Sequence, residues 1–258
     1  MTKETKSPIK DLPVRVPGQS LDEQCKDYLD DKVLPLFMAP FFLLTLAGWE
    51  WWRYYDKTPP QPITFTVMAS LVTGFCAWRI SKTLKQYRML RLGLTGERAV
   101  GQFLEEKLRP LGYHILNDLP GDGFNLDHVI IGPTGIYCVE TKTRSKPAKG
   151  TASIKYDGEN ITVDGFPPDR NPVVQVKAGA RWLYELLESS TGKKFFIKPI
   201  VLFPGWYVDN LNLNAEVWVL NDKALPTFIQ NRPGTLTPED INMVVFHLKR
   251  YVIGIAKA

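Results

Sequence analysis

Two acidic residues and a lysine are spaced to act on a phosphate. In the segment NLDHVIIGPTGIYCVETK, residues 125–142, Asp127 and the run Glu140-Thr141-Lys142 flank a Gly-Pro-Thr-Gly sequence. The apolar runs on either side read as the two strands of a hairpin. Proline second and glycine fourth suit a type I turn between them. Side chains alternate along a strand, which places Cys138, Glu140 and Lys142 on one face. A loop symmetric about Pro133-Thr134 makes paired positions sum to 267. Asp127 then lies opposite Glu140, with Cβ atoms about 4.5–5.5 Å apart. A three-residue loop would shift that register by one position.

Two carboxylates facing each other on an otherwise apolar surface repel unless a cation or a shared proton intervenes. Lys142 supplies one charge, and a divalent metal would supply two. The chemistry that suits the set is phosphodiester hydrolysis. Mg²⁺ takes carboxylate oxygens and keeps several waters, so one or two acids suffice to hold it. It acidifies a bound water and offsets charge in the transition state. A lysine beside a ligand can orient that water or hold a phosphate oxygen, and the Thr141 carbonyl could complete the metal's shell. The plain alternative is an ordinary ion pair among Asp127, Glu140 and Lys142 at an exposed strand end.

Two helices must position these residues. One is expected over residues 96–109, ended by Pro110 and Gly112. Glu97 lies in its first turn, on the stripe of Val100, Leu104 and Leu108. The other starts at Asn171 as cap, with Pro172 at its first position, and runs to about residue 189. Gln175 projects there with Ala178, Gly179, Trp182 and Leu186. Acids and amides rarely occupy a core face without a partner. Simpler accounts are a helix N-terminus stabilising Glu97 and a loop contact for Gln175. Strands are expected near residues 113–117, in a small hairpin about Asp157-Gly158, and in KKFFIKPIVLF and EVWVL. A last helix opens at Thr237-Pro238 and runs to about residue 251. The order is αβββαβ with C-terminal additions, an α/β fold.

Together, Gly96-Glu97, Asp127-His128-Val129, Glu140-Thr141-Lys142 and Asn171-Pro172-x-x-Gln175 resemble the nuclease-related domain, NERD. That family is similar to the PD-(D/E)XK nuclease superfamily, and the resemblance covers roughly residues 93–205. It implies a restriction-endonuclease-like core, a mixed sheet flanked by helices. It further implies Asp127 and Glu140 as metal ligands, Lys142 as the catalytic lysine, Glu97 and Gln175 in support, Mg²⁺ or Mn²⁺ as cofactor, and DNA as substrate. Leu126 stands where the superfamily's name has a proline.

The remaining chain sets the context. Its 258 residues carry 32 Lys+Arg against 27 Asp+Glu, a net charge of +5, with 44% apolar and 12% aromatic residues. That excludes a disordered tail, a collagen-like repeat and a small disulfide scaffold. Cys25, Cys76 and Cys138 are too scattered for a disulfide framework. His114, His128 and His247 show no ligand spacing. The mean hydropathy of −0.15 averages two unlike halves. Residues 33–49 and 58–78 are uncharged runs, and a spanning helix needs about 20 mostly apolar residues, with a lower limit near 17. Pro35 and Pro40 are tolerable in such a helix, and Trp49, Trp51, Trp52, Tyr54 and Tyr55 form an interfacial belt. A soluble hairpin is the competing expectation, but neither run has a polar face. Six Lys/Arg precede the first run, two lie between the runs, and six lie in residues 79–98. Both ends are therefore expected in the cytoplasm and the Glu50–Gln61 loop outside. Arg79, Lys82, Lys85, Arg88 and Arg91 make a basic stripe suited to anionic lipid headgroups or to nucleic-acid phosphates.

The expected division is a polar cytoplasmic lead over 1–32 without regular structure, a membrane hairpin over 33–80, a basic linker helix over 81–95, and the nuclease-like domain over 96–258. The leading function is a membrane-anchored, metal-dependent nuclease. The alternative is a non-catalytic, membrane-tethered nucleic-acid-binding or scaffolding module, although +5 is a modest charge for that task.

Overall fold

The computed structural model describes residues 15–56, 61–146, 153–168, 170–210 and 215–255. They fall into two compact units: residues 20–94, and residues 15–19 together with 95–255.

The first unit holds helices α1 (Gln19–Tyr28) and α2 (Leu34–Tyr55) and most of α3 (Pro62–Leu108). The lead, expected to lack regular structure, is thus helical from Gln19. Its residues 1–14 lie outside the described residues. A π-helical turn, Leu29–Val33, joins α1 to α2, and Leu34 N–H reaches back to the Leu29 carbonyl. Pro35 follows at once and has no N–H to give the preceding turn, so the wider turn absorbs the missing bond. The expected Glu50–Gln61 loop is shorter than anticipated, because α2 stays helical to Tyr55; residues 57–60 lie outside the described residues. Glu50 explains the local order. Its carboxylate accepts from Arg53 Nη1 at 2.8 Å and from Gln61 N–H at 3.0 Å. Trp51 Nε1 donates to Thr66 Oγ1 at 3.0 Å, tying α2 to α3. Both helical stretches are long and apolar enough to cross a membrane, and only 17% and 11% of their most apolar windows are buried. A soluble hairpin would hide those faces. Here Phe41, Phe42, Ile63 and Leu71 stand more than 60% exposed.

The second unit follows the expected core order. After α3 come β1 (His114–Pro120), β2 (Asn125–Gly132), β3 (Gly135–Thr141), β4 (Ser153–Tyr156), β5 (Ile161–Val163), α4 (Pro172–Thr191) and β6 (Ile197–Leu202). Beyond them lie β7 (Tyr207–Asn210), β8 (Trp218–Leu220), α5 (Leu225–Gln230) and α6 (Pro238–Ile255). The main sheet runs β1-β2-β3-β6-β8, with β1, β2 and β3 antiparallel and β3, β6 and β8 parallel. A three-stranded sheet, β5-β4-β7, stands apart; the sequence reading foresaw only its hairpin.

Helices cover both faces of the main sheet. Val100, Leu104 and Leu108 of α3 pack with Ile130, Tyr137, Val139 and Ile200 on one face. On the other, Val176, Leu183 and Leu187 of α4 and Val244 and Leu248 of α6 pack with Val129, Ile131, Cys138 and Val201. Each fully buried aliphatic chain contributes about 1.5–3 kcal/mol. Asn171 starts α4 as its sequence dictates: Oδ1 accepts from Val173 N–H at 2.9 Å, with Pro172 at the first position.

Candidate active site

The expected hairpin register holds. His128 faces Val139, Val129 faces Cys138 and Gly132 faces Gly135, so positions sum to 267. At the open end of this ladder the Asp127 side chain replaces a backbone partner. Its Oδ2 accepts the Thr141 N–H at 2.6 Å, which fixes the aspartate beside the Glu140-Thr141-Lys142 run.

Strict alternation fails at this point. Leu116 and Leu119 of β1, like Leu126 and Val129 of β2, lie three apart yet pack in the same layer, on the side of the sheet that α4 and α6 cover. Between the pairs Asn117↔His128 and Leu119↔Leu126 stand Asp118 and Asp127. Asp118 has φ +52°. The slip occurs in both strands at once, so the pairing register is the same on either side of it, and in β1 the left-handed backbone of Asp118 accommodates it. Aspartate is among the few residues that adopt that backbone readily.

Glu97 reaches the site from α3, on the opposite face of the sheet from α4. It is buried, on the stripe of Val100 and Leu104 as expected. It is not in a first turn, however: α3 is one continuous helix from Pro62, so no helix N-terminus is present to stabilise the charge. Beside it, Gly96 permits the close approach of Thr143. A Cβ there would overlap Thr143 Oγ1 and lie 2.7 Å from its Cβ. Gln175 corrects the sequence reading more strongly. The buried face of α4 is Val173, Val176, Ala180 and Leu183, while Gln175 and Ala178 are exposed. From that margin the Gln175 carboxamide accepts from Lys142 Nζ at 2.9 Å and hydrogen-bonds Glu140. Lys142 Nζ also pairs with Glu140 Oε1 at 2.6 Å.

Asp118 was missed in the sequence. It is 1% exposed and pairs with Arg15 Nε at 2.9 Å. Pro17, two residues on, fills the space over Gly101, where a Cβ would come within 2.5 Å of its Cγ. A buried acid inside the apolar-looking run HILNDLP was the available signal.

Crowding of acids away from water sets the electrostatics. Burial, reinforced by the charges of Asp118 and Glu140, pushes Glu97 up to about 8 against the pull of Lys142. Burial and the charges of Glu140 and Glu97 raise Asp127, opposed by the Thr141 N–H and Lys142. Burial raises Glu140 too, opposed by Lys142 and Gln175. The Cys138 thiol is raised by burial and both neighbouring acids, and so stays unreactive. His128, fully buried, is pushed down to about 3. Its Nδ1 lies 2.8 Å from Asn117 Oδ1. It holds strands together as a neutral ring.

A hard divalent cation fits this donor set. Asp127 and Glu140 offer oxygen ligands whose anionic forms are disfavoured without added positive charge. Thr141 Oγ1 is buried with no hydrogen-bond partner among the described residues. No group of three or more His, Cys, Asp and Glu side chains gathers into a metal cage among the described residues. An ion here would rest on two carboxylates, backbone oxygen and water, the habit of Mg²⁺.

No curated protein matches the chain. Among solved structures, SfsA of Pyrococcus furiosus, in complex with Ca²⁺, aligns at 20% identity with a TM-score of 0.28. The alignment covers 50% of this chain and 55% of that one, so the chain spans about half the length of that protein. The likeness is too slight to argue from. The match to a family model is firmer: residues 92–204 are similar to the nuclease-related domain, NERD, and this stretch holds Glu97, Asp127, Glu140, Lys142 and Gln175.

Proposed function

We propose that the chain is a membrane-anchored, divalent-metal-dependent nuclease that hydrolyses phosphodiester bonds in DNA. The observation that carries this reading is the convergence of Asp127, Glu140 and Lys142 within the nuclease-related domain. Asp127, Glu140 and the Thr141 carbonyl would hold Mg²⁺ or Mn²⁺, which when bound supplies an acidified water and positive charge. Lys142 uses two of its three donors on Glu140 and Gln175. The third serves a phosphate oxygen or the attacking water. Gln175 holds Glu140 and Lys142 in one arrangement, and Glu97 can keep a proton near neutral pH.

Anchoring rests on the two exposed apolar helices and the cytoplasmic orientation on the Lys/Arg balance around them. Residues 15–19 pack in the same unit as 95–255, which supports an even number of crossings. Arg79, Lys82, Lys85, Arg88 and Arg91 then meet the headgroups.

The test is cleavage of supercoiled, linear, branched and single-stranded DNA, and of RNA, by the detergent-solubilised full chain with Mg²⁺ or Mn²⁺. Asp127→Ala and Lys142→Ala each reduce the rate by roughly 10²-fold or more. Cleavage unchanged in both variants sinks the assignment. No cleavage and no metal-dependent rise in Tm would instead favour the tethered binding module.

A further inference from the structure

Away from the carboxylates, a cavity of about 910 Å³ opens along the outer edge of β1, between α3 and α6. Its charged lining is Arg15, Arg98, Arg109, His114 and Lys249, with Glu105 as the acid among them. Its floor is apolar, built from Ile115, Leu116, Leu119 and Val252. Among the described residues, β1 is the terminal strand of the main sheet and no strand neighbours its outward edge.

Arg109, His114 and Lys249 lie close enough to repel one another. Arg109 reaches Glu105 only at 3.5 Å. Burial disfavours the charged form of His114, and the nearby Lys249 and Arg109 disfavour it further, with only Glu105 opposing them. An anion bound among these groups would relieve that repulsion. The volume lies within the range of small-molecule sites, in which an apolar wall and a few placed polar groups share the recognition.

We propose that the cavity between α3, β1 and α6 is a binding site for a nucleotide-sized organic phosphate, its phosphate among Arg109, His114 and Lys249 and its apolar part over Leu116, Leu119 and Val252. The site is distinct from the carboxylate cluster and does not depend on catalysis. The cations give charge, the strand edge gives oriented donors, and the floor favours a ligand with a flat apolar group over inorganic phosphate alone.

The chain's three histidines make the experiment direct. In full-length protein labelled at histidine Cε1 and held in detergent, the His114 resonance is identified by its loss in His114→Gln and titrated against pH. Addition of AMP should raise the His114 midpoint, because a bound anion favours the imidazolium. Inorganic phosphate should do so only at roughly tenfold or higher concentration. Lys249→Gln combined with Arg109→Gln should weaken AMP at least tenfold, while Asp127→Ala leaves it intact. An unmoved His114 midpoint at saturating AMP overturns the proposal, as does equal affinity in the double variant. Anionic lipid vesicles that shift His114 where AMP does not would assign the charge to the membrane and overturn it as well. None of these outcomes depends on whether the protein cleaves DNA.

Discussion

The Asp127 carboxylate accepts the Thr141 backbone N–H at 2.6 Å, so one strand's side chain does what its backbone would otherwise do. The aspartate thereby does two separable things: it closes the open end of the hairpin ladder, and it places a carboxyl group beside the Glu140-Thr141-Lys142 run.

Asp127→Asn should separate them. The amide oxygen still accepts from Thr141, and the repulsion with Glu140 and Glu97 disappears. Without divalent ions at pH 8, this variant should melt at least as high as the parent, yet lose any Mg²⁺-dependent rise in Tm. Asp127→Ala leaves the Thr141 N–H without its partner and should cost about 1–3 kcal/mol. Calorimetric melts of the three proteins, with and without Mg²⁺, check this; an Asn variant that keeps the Mg²⁺ response contradicts it.

Glu97 supplies a pH dependence with a fixed sign. Its folded-state value, about 8, lies above its ordinary value of 4.5. The folded protein therefore holds a proton that the unfolded chain has released. Metal-free stability should fall as pH rises from about 4.5 through about 8. Glu97→Gln should flatten that decline and raise Tm at pH 8.5 by ~2–4 °C for each kcal/mol of repulsion removed. A parent protein equally stable at pH 5 and pH 8.5 without metal would contradict the assignment.

The Arg15–Asp118 pair, nearly sealed from water, should behave as a buried ion pair. Arg15→Met leaves Asp118 as a buried charge without this guanidinium, a loss of about 3–5 kcal/mol. Asp118→Asn added to Arg15→Met should recover part of it. The second change should also lower the Glu97 midpoint, since Asp118 helps to raise it. Denaturant unfolding of the four-member cycle measures the coupling, and strictly additive effects would refute it.

Gly96 can be tested by steric rescue. Gly96→Ala drives a methyl into Thr143 and should lower both Tm and metal-dependent cleavage. Thr143→Gly, which removes all three atoms that meet that methyl, should restore much of the Tm. A failure of rescue would mean that Gly96 is needed for some other reason.

Much of this architecture was legible because the signals are local. The symmetric turn at Pro133-Thr134 dictates the 267 register, and Asn171-Pro172 dictates the start of α4. Glu97 could be assigned to a buried stripe because α3 keeps its period past Val100. What escaped depends on breaks in periodicity or on distant contacts. Helical spacing alone turns Gln175 inward, because a one-residue difference in phase carries a marginal residue onto the buried face. Asp118 was invisible because its role comes from a left-handed backbone and from Arg15, on the far side of three helices in sequence. The seam between the expected linker helix and domain helix does not exist as a break, because nothing between Ser81 and Leu108 interrupts the backbone ladder.

The position of Arg15 and Pro17 has a practical consequence. Trimming the chain to a fragment that starts near residue 90, a natural shortcut to a protein without its apolar helices, discards the guanidinium beside Asp118 and the ring seated on Gly101. Such a fragment would be handicapped by its own boundary, and poor yield or silence in an assay would then report on the truncation rather than on the protein. Supplying residues 15–19 again, by a short linker onto Thr95, is the economical remedy.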